Sequence, residues 1–252
     1  MSTSLPFPTP TDIVTDADRR PESDHSAITV DIFHDTICPW CRIGVAALQR
    51  AVARWDGPRV ELHWHPFLLK PDTPPEGEPF RESLPDGMRQ DPAPMLERVS
   101  AAGRAVGVQF DWAAIQRTPN TIRSHLLYAI LPEELRTAMV ERIGVAYFEE
   151  GGDIGDLETL KAIAAEGGMD AELTGRVLEQ TELQAAIVSE VTQAAQLGIS
   201  GVPLFIFDNR LAVDGAQSPE TFASALAQVV TGRQGDAMAG AEVPDGTPTV
   251  VR

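Results

Sequence analysis

Only two of the 252 residues are cysteine, and that scarcity excludes several classes of protein. A disulfide-stapled scaffold needs several pairs, and a tetrahedral structural zinc site needs four ligands. There is no second cysteine pair, and the five histidines (His25, His34, His63, His65 and His125) lack finger spacing, so no metal site is expected. Basic residues are also few: 20 Lys and Arg against 37 Asp and Glu give a net charge of −17. That balance argues against nucleic acid or an anionic membrane surface as a partner, because both reward Lys and Arg. No stretch approaches eighteen consecutive apolar residues, so no segment is expected to span a membrane. Residues 1–20 lack a basic leader followed by an apolar run, and Pro6, Pro8 and Pro10 interrupt them, so no secretory signal is expected. The expected address is therefore cytoplasmic, where thiols are held reduced.

The two cysteines sit three residues apart, in Cys38-Pro39-Trp40-Cys41. Ile28 to Phe33 before them alternates apolar and polar side chains and is rich in β-branched residues, which predicts a strand. Pro39 suits the first turn of a helix over about 39–54, because its missing N–H costs nothing there. At such a helix start the free backbone N–H groups and the positive end of the macrodipole favour an anion. The thiolate is the nucleophilic form of cysteine, so Cys38 is expected to attack and Cys41, one turn inward, to resolve. A dithiol redox centre is the leading reading, with a pair of inert buried thiols as its alternative. Arg42 adds a positive charge nearby.

An apolar share of 43% allows a real core, in one large domain or a domain with a sizeable insertion. Residues 1–27, rich in Ser, Thr, Pro and Asp, read as a disordered arm. Arg59 to Leu69 predicts a second strand, with Val60, Leu62 and Trp64 on one face and Glu61, His63 and His65 on the other. Two histidines on one face invite a metal, but a half-exposed strand face explains them as well. Seven prolines predict an irregular loop over 70–94. Helices are then expected over 95–106, 121–130, 133–149, 157–166, 171–178 and 182–197, with Asp156 or Asp153 capping the fourth. Strands at 204–207 and 210–214 flank an Asp208-Asn209 turn, and Ser218-Pro219 opens a last helix to about Val230. Residues 232–252 read as a second loose tail.

Gly198 to Pro203 precedes the hairpin. A proline there belongs at a strand edge, and Val202-Pro203 is expected either cis, lying against the Cys38 sulfur, or as an ordinary trans turn. In the first case the backbone of Val202 is expected to pair with an incoming extended peptide.

Five pieces of the chain, in order, resemble the DsbA-like thioredoxin-fold oxidoreductases, and among them the FrnE-type branch. They are Asp35 through Gly44 around the cysteines, Pro119-Asn120-Thr121 with His125, Tyr147-Phe148 through Asp156, Gly198 through Pro203, and Val213 through Gln217. Together they span roughly 28–231. The resemblance implies an α/β, thioredoxin-like fold with an all-helical insertion between the two halves of the sheet. Its divisions are a first half with the Pro-rich loop at 28–94, the insertion at 95–190, and a second half at 191–231. It implies thiol–disulfide exchange on protein or small-molecule disulfides, with Cys38, Cys41 and Pro203 catalytic. No separate cofactor is implied, and glutathione is a possible reductant. Pro39, Trp40, Val202, Asn120 and His125 are implied on the substrate side. Their other readings are a helix cap for Asn120, a packing histidine for His125 and a sulfur shield for Trp40. Asp35, three residues before Cys38, either tunes the site or is an exposed loop carboxylate. Two alternatives to exchange stand: a glutathione-dependent isomerase or transferase of small aromatic or polyketide metabolites, and a peptide-binding chaperone using the helical insertion. An intact cysteine pair speaks against the isomerase reading, whose relatives tend to have serine at the first position.

Overall fold

Alternation along Ile28–His34 (β1) buries Ile28, Val30 and Ile32 completely, so the strand sits at the centre of a sheet. In the computed structural model, which describes residues 27–239 and 249–251, β1 runs into the helix Pro39–Val52 (α1) and then Val60–Pro66 (β2). β2 returns parallel to β1, pairing Val30 with Leu62 and Ile32 with Trp64, so α1 is the crossover that parallel pairing requires. The arm expected over 1–27 lies outside the described residues except for Ala27, which is buried.

The polar face of β2 carries the two histidines to different carboxylates. His63 Nδ1 lies 2.6 Å from Glu133 Oε1. His65 stacks on Phe33, with ring centroids 4.6 Å apart, and bonds Asp31 Oδ1 at 2.9 Å and Glu190 Oε1 at 3.1 Å. Burial lowers the His65 pKa, but the hydrogen bonds to Asp31 and Glu190 outweigh it and push the pKa up to about 9. A histidine raised from 6.5 in the unfolded chain stabilises the fold fully below pH 6.5 and loses that contribution as pH rises through 9. The upper bound on the loss is about 3 kcal/mol. Thermal melts of the wild type should therefore fall between pH 6.5 and 10, and His65→Asn should flatten that fall. Equal slopes in the two proteins would refute the assignment.

The loop expected over 70–94 is more ordered than its prolines imply, and this is a correction. It holds a two-residue strand Glu78–Pro79 (β3), single-turn helices Phe80–Ser83 (α2) and Asp86–Arg89 (α3), and the start of Ala93–Ala105 (α4). Prolines open these turns instead of preventing them: Pro79 and Pro85 stand at the N-caps of α2 and α3, and Pro94 lies in the first turn of α4. β3 pairs with Arg117–Thr118 (β4), a second element that no local pattern reveals. The remainder of the insertion is helical: Ile122–Ala129 (α5), Glu133–Phe148 (α6), Leu157–Glu166 (α7), Ala171–Leu178 (α8) and Thr181–Gln196 (α9). Asp156 caps α7 by accepting from Thr159 N, and Asp170 caps α8 by accepting from Leu173 N.

Leu204–Phe207 (β5) and Leu211–Asp214 (β6) then form the expected hairpin. Asp208 and Asn209 take positive φ, 51° and 55°, as a two-residue turn of this hand needs. β5 lies antiparallel beside β1. The tail expected beyond 231 is a second correction: Pro219–Ala239 (α10) runs well past Val230, and Thr249–Val251 (β7) pairs in parallel with β6. Arg233 gives the helix its reason to continue. Its guanidinium bonds both oxygens of Asp208, at 2.5 and 2.7 Å, and the carbonyl of Ala27 at 2.6 Å.

The five-stranded sheet has the order β2-β1-β5-β6-β7. α1 packs against α10, while the end of α9 covers the opposite face through Ala194, which meets Phe33 and Ile199. The insertion closes over the edge at β2, with α6 and α9 both against that strand. This places the start of α1 beside α4 and α6.

Candidate active site

Cys38 occupies the N-cap of α1 in an extended conformation (φ −85°, ψ 111°), and its Sγ accepts a hydrogen bond from Cys41 N at 3.2 Å. Cys38 N donates to the carbonyl of Asp35 at 3.0 Å, which fixes the loop before the helix. The first sulfur thus takes the capping place that Ser or Asp fills in other helices, facing unsatisfied N–H groups. Cys38 is 4% exposed and Cys41 1%. Burial pushes the Cys41 thiol well up, reinforced by the hydrogen bond and charge of Cys38 and by the charge of Asp35. Both residues stand at one end of a cleft of about 290 Å³ that runs along the flank of α1.

Asp35 is the largest surprise of the site. Its carboxylate is 1% exposed, so it is no loop carboxylate facing solvent. Oδ2 accepts from Leu69 N at 2.7 Å, and Oδ1 meets His125 Nε2 at 3.3 Å. His125 Nδ1 lies 2.9 Å from the hydroxyl of Tyr128, and that hydroxyl lies 3.2 Å from His34 Nε2. Beside this chain Thr36 and Ser124 share a hydrogen bond of 2.8 Å. Burial, with neighbouring His125 and His65, pushes the His34 pKa well down, so this ring is neutral at pH 7.

His125 is consequently placed differently from a substrate-side residue: its ring has no exposed surface, and it acts on Asp35 instead of on anything outside. Asn120 spends its amide locally. Nδ2 donates to the carbonyl of Thr73 at 2.7 Å and Oδ1 accepts from Ile122 N at 3.1 Å, tying the Pro-rich segment to the start of α5. Pro39 lies in the first turn of α1. Trp40 is half-buried against the core, and the Arg98 guanidinium sits 5.5 Å from its ring centroid. The Val202-Pro203 bond is cis, which bears out the first half of that expectation; the contact described for the proline is with α1 at Gly44 and not with the Cys38 sulfur. The pyrrolidine lies against α1: a Cβ added at Gly44 would come within 3.3 Å of Pro203 Cγ and 3.0 Å of Phe205 Cζ. Val202 is half-buried on the small apolar cluster of Phe33, Ala194 and Ile199.

Tyr128 and His34 went unassigned in the sequence. The signal for Tyr128 is its i, i+3 spacing from His125 on one helix face; His34 gives none, because only the folded chain brings it to that hydroxyl.

Comparison with known proteins decides the family. Residues 29–227 match the model of the DSBA-like thioredoxin domain. The chain belongs to that family. DsbA-like proteins include disulfide oxidoreductases and isomerases, and in this chain the cysteine pair stands at the head of α1. A curated relative, the uncharacterized protein YwbO of Bacillus subtilis (strain 168), is 27% identical over 206 residues, 79% of this chain and 96% of its own. The crystal structure of a probable DsbA oxidoreductase from Streptomyces coelicolor superposes with a TM-score of 0.72. It is 26% identical, and the match covers 87% of this chain and 93% of that one. The cytosolic disulfide reductase DsbM from Pseudomonas aeruginosa, solved with GSH, has a TM-score of 0.57 at 19% identity. It covers 81% of this DsbA-like chain and 99% of its own, a likeness of fold.

Proposed function

We propose that this DsbA-like protein is a thiol–disulfide oxidoreductase whose redox centre is the Cys38–Cys41 dithiol. The carrying observation is the Cys38 sulfur at the N-cap of α1, held 3.2 Å from Cys41 N. In the direction that reduces a partner, the Cys38 thiolate attacks the partner disulfide and expels one thiolate, leaving a mixed disulfide. Cys41 then gives up its proton and attacks Cys38 Sγ, releasing the second thiol and closing the enzyme disulfide. Two electrons pass from the dithiol to the partner, and the reverse sequence oxidises a partner dithiol.

The second step needs a proton acceptor, because burial opposes ionisation of Cys41. Asp35 is the carboxylate whose charge Cys41 feels, and His125 with Tyr128 extends it inward. Pro203 and Val202 are assigned to the face that receives an extended substrate, with Pro39 and Trp40 at its margin. We assign glutathione as a reductant of the oxidised pair and the cytoplasm as the working compartment. The support is a structural relative that is a cytosolic disulfide reductase solved with GSH.

Reduction of insulin, followed by turbidity with dithiothreitol as the terminal reductant, tests the reading. The expected result is precipitation well ahead of a protein-free control, together with a change in Trp40 fluorescence when dithiothreitol opens the disulfide. A wild-type protein that matches the control and whose fluorescence ignores the reductant would overturn it.

A further inference from the structure

The cleft along α1 is more than the space in front of the sulfurs. Cys41, Arg42, Val45, Ala46, Gln49 and Ala53 line it at helical spacing, one face of the redox helix followed for about 18 Å. Val140, Gly144 and Phe148 of α6, with Val108, form the facing wall. The middle of the cleft is thus apolar, Gln49 and Arg50 add polar groups along it, and the two cysteines with Asp35 stand at one end.

Among the polar groups on the lining, Arg42 carries an unsatisfied donor. Nη2 bonds Glu149 Oε1 at 2.5 Å and Nη1 reaches the carbonyl of Glu141 at 3.4 Å. Nε is buried and has no hydrogen-bond partner. The fold makes room for this side chain: a Cβ at Gly144 would stand 2.6 Å from Arg42 Nη1. A buried donor left empty is costly, so an acceptor placed there is favoured. The charge of Arg42 is already met by Glu149, and the second guanidinium on the lining, Arg50, is offset by the carboxylates of Glu141 and Asp35 on the same cleft, so a further negative charge is not called for. A neutral acceptor atom is.

We propose that this cleft binds a small, largely apolar, uncharged disulfide carrying a hydrogen-bond acceptor. The acceptor meets Arg42 Nε, and the disulfide faces the cysteines. This inference rests on the exchange reading and names the substrate class for it. About 290 Å³ sits at the low end of small-molecule sites, too little for a folded loop. The reaction balances as R–S–S–R plus the enzyme dithiol giving two R–SH and the enzyme disulfide, with both thiol protons passing to the released thiols.

The test uses reduced full-length protein in single turnovers, with 2,2′-dithiodipyridine as the neutral probe and insulin as the protein disulfide. Arg42→Lys keeps the charge opposite Glu149 and removes the Nε donor. Ala46→Trp fills the cleft from its α1 wall, and so tests the site even if Arg42→Lys disturbs the fold. In each variant the ratio of dithiodipyridine to insulin rates should fall about tenfold, the equivalent of about 1.4 kcal/mol. An unchanged ratio, including equal losses on both substrates, in Ala46→Trp or in an Arg42→Lys that keeps the wild-type melting temperature overturns the cleft assignment and leaves the exchange reading standing. A wild type that reduces neither substrate overturns both.

Discussion

Replacing Cys38 with serine should bring disulfide exchange down to the rate of buffer alone, whereas replacing Cys41 with serine should stall the protein on its partner. The two outcomes differ because the sulfurs differ. Cys38 caps α1 and takes the Cys41 N–H; Cys41 is the more deeply buried, with its thiol pushed well up. Serine is itself a good N-cap, so Ser at 38 preserves the capping bond and the helix while removing the nucleophile. A loss of activity without loss of melting temperature therefore isolates chemistry from folding. In Cys41→Ser the first attack still occurs, but no second sulfur is present to resolve it. A covalent adduct should accumulate on Cys38, visible on a non-reducing gel or by intact mass and released by dithiothreitol. Residual exchange in Cys38→Ser, or no adduct in Cys41→Ser, would sink the two-step mechanism.

How far the sequence carried the fold depended on whether an element's cause is local. α7 and α8 were legible to the residue because their starts are capped by Asp156 and Asp170, and a glycine pair follows α7. The hairpin at Asp208-Asn209 was legible for the same reason. β3 was not, since two residues become a strand only by meeting β4. The sequence ends α10 near Val230, because Gly, Pro and Asp are scattered through 232–252, but Arg233 is anchored to a turn 25 residues away. The site divides likewise. The cysteine pair and its helix are contiguous and were plain. Asp35 and His125 are 90 residues apart, and their contact turns one from a supposed loop carboxylate and the other from a supposed substrate residue into a single buried unit. Arg42 was noticed as a charge, but its course across α6 depends on the missing side chain at Gly144.

That buried unit carries the second large effect. Asp35→Asn should slow closure of the enzyme disulfide about a hundredfold at neutral pH, the low end of what general acid–base catalysis contributes. Two consequences of the substitution oppose each other. Removing the carboxylate charge eases ionisation of Cys41, but that charge is the weakest of the influences raising the thiol, behind burial and the effects of Cys38. In the proposed mechanism Asp35 takes the Cys41 proton, and losing that acceptor outweighs the eased ionisation, so the rate falls. Asparagine keeps the shape and can still accept from Leu69 N, which confines the stability cost to about 1–3 kcal/mol. Stopped-flow fluorescence of Trp40 reads closure directly, and melting temperature is followed in parallel. A structural role alone would lower the melting temperature and leave closure and its pH profile untouched, and that pattern would remove Asp35 from the mechanism. His125→Gln, which withdraws the imidazole but not the carboxylate, should give a smaller slowing in the same direction.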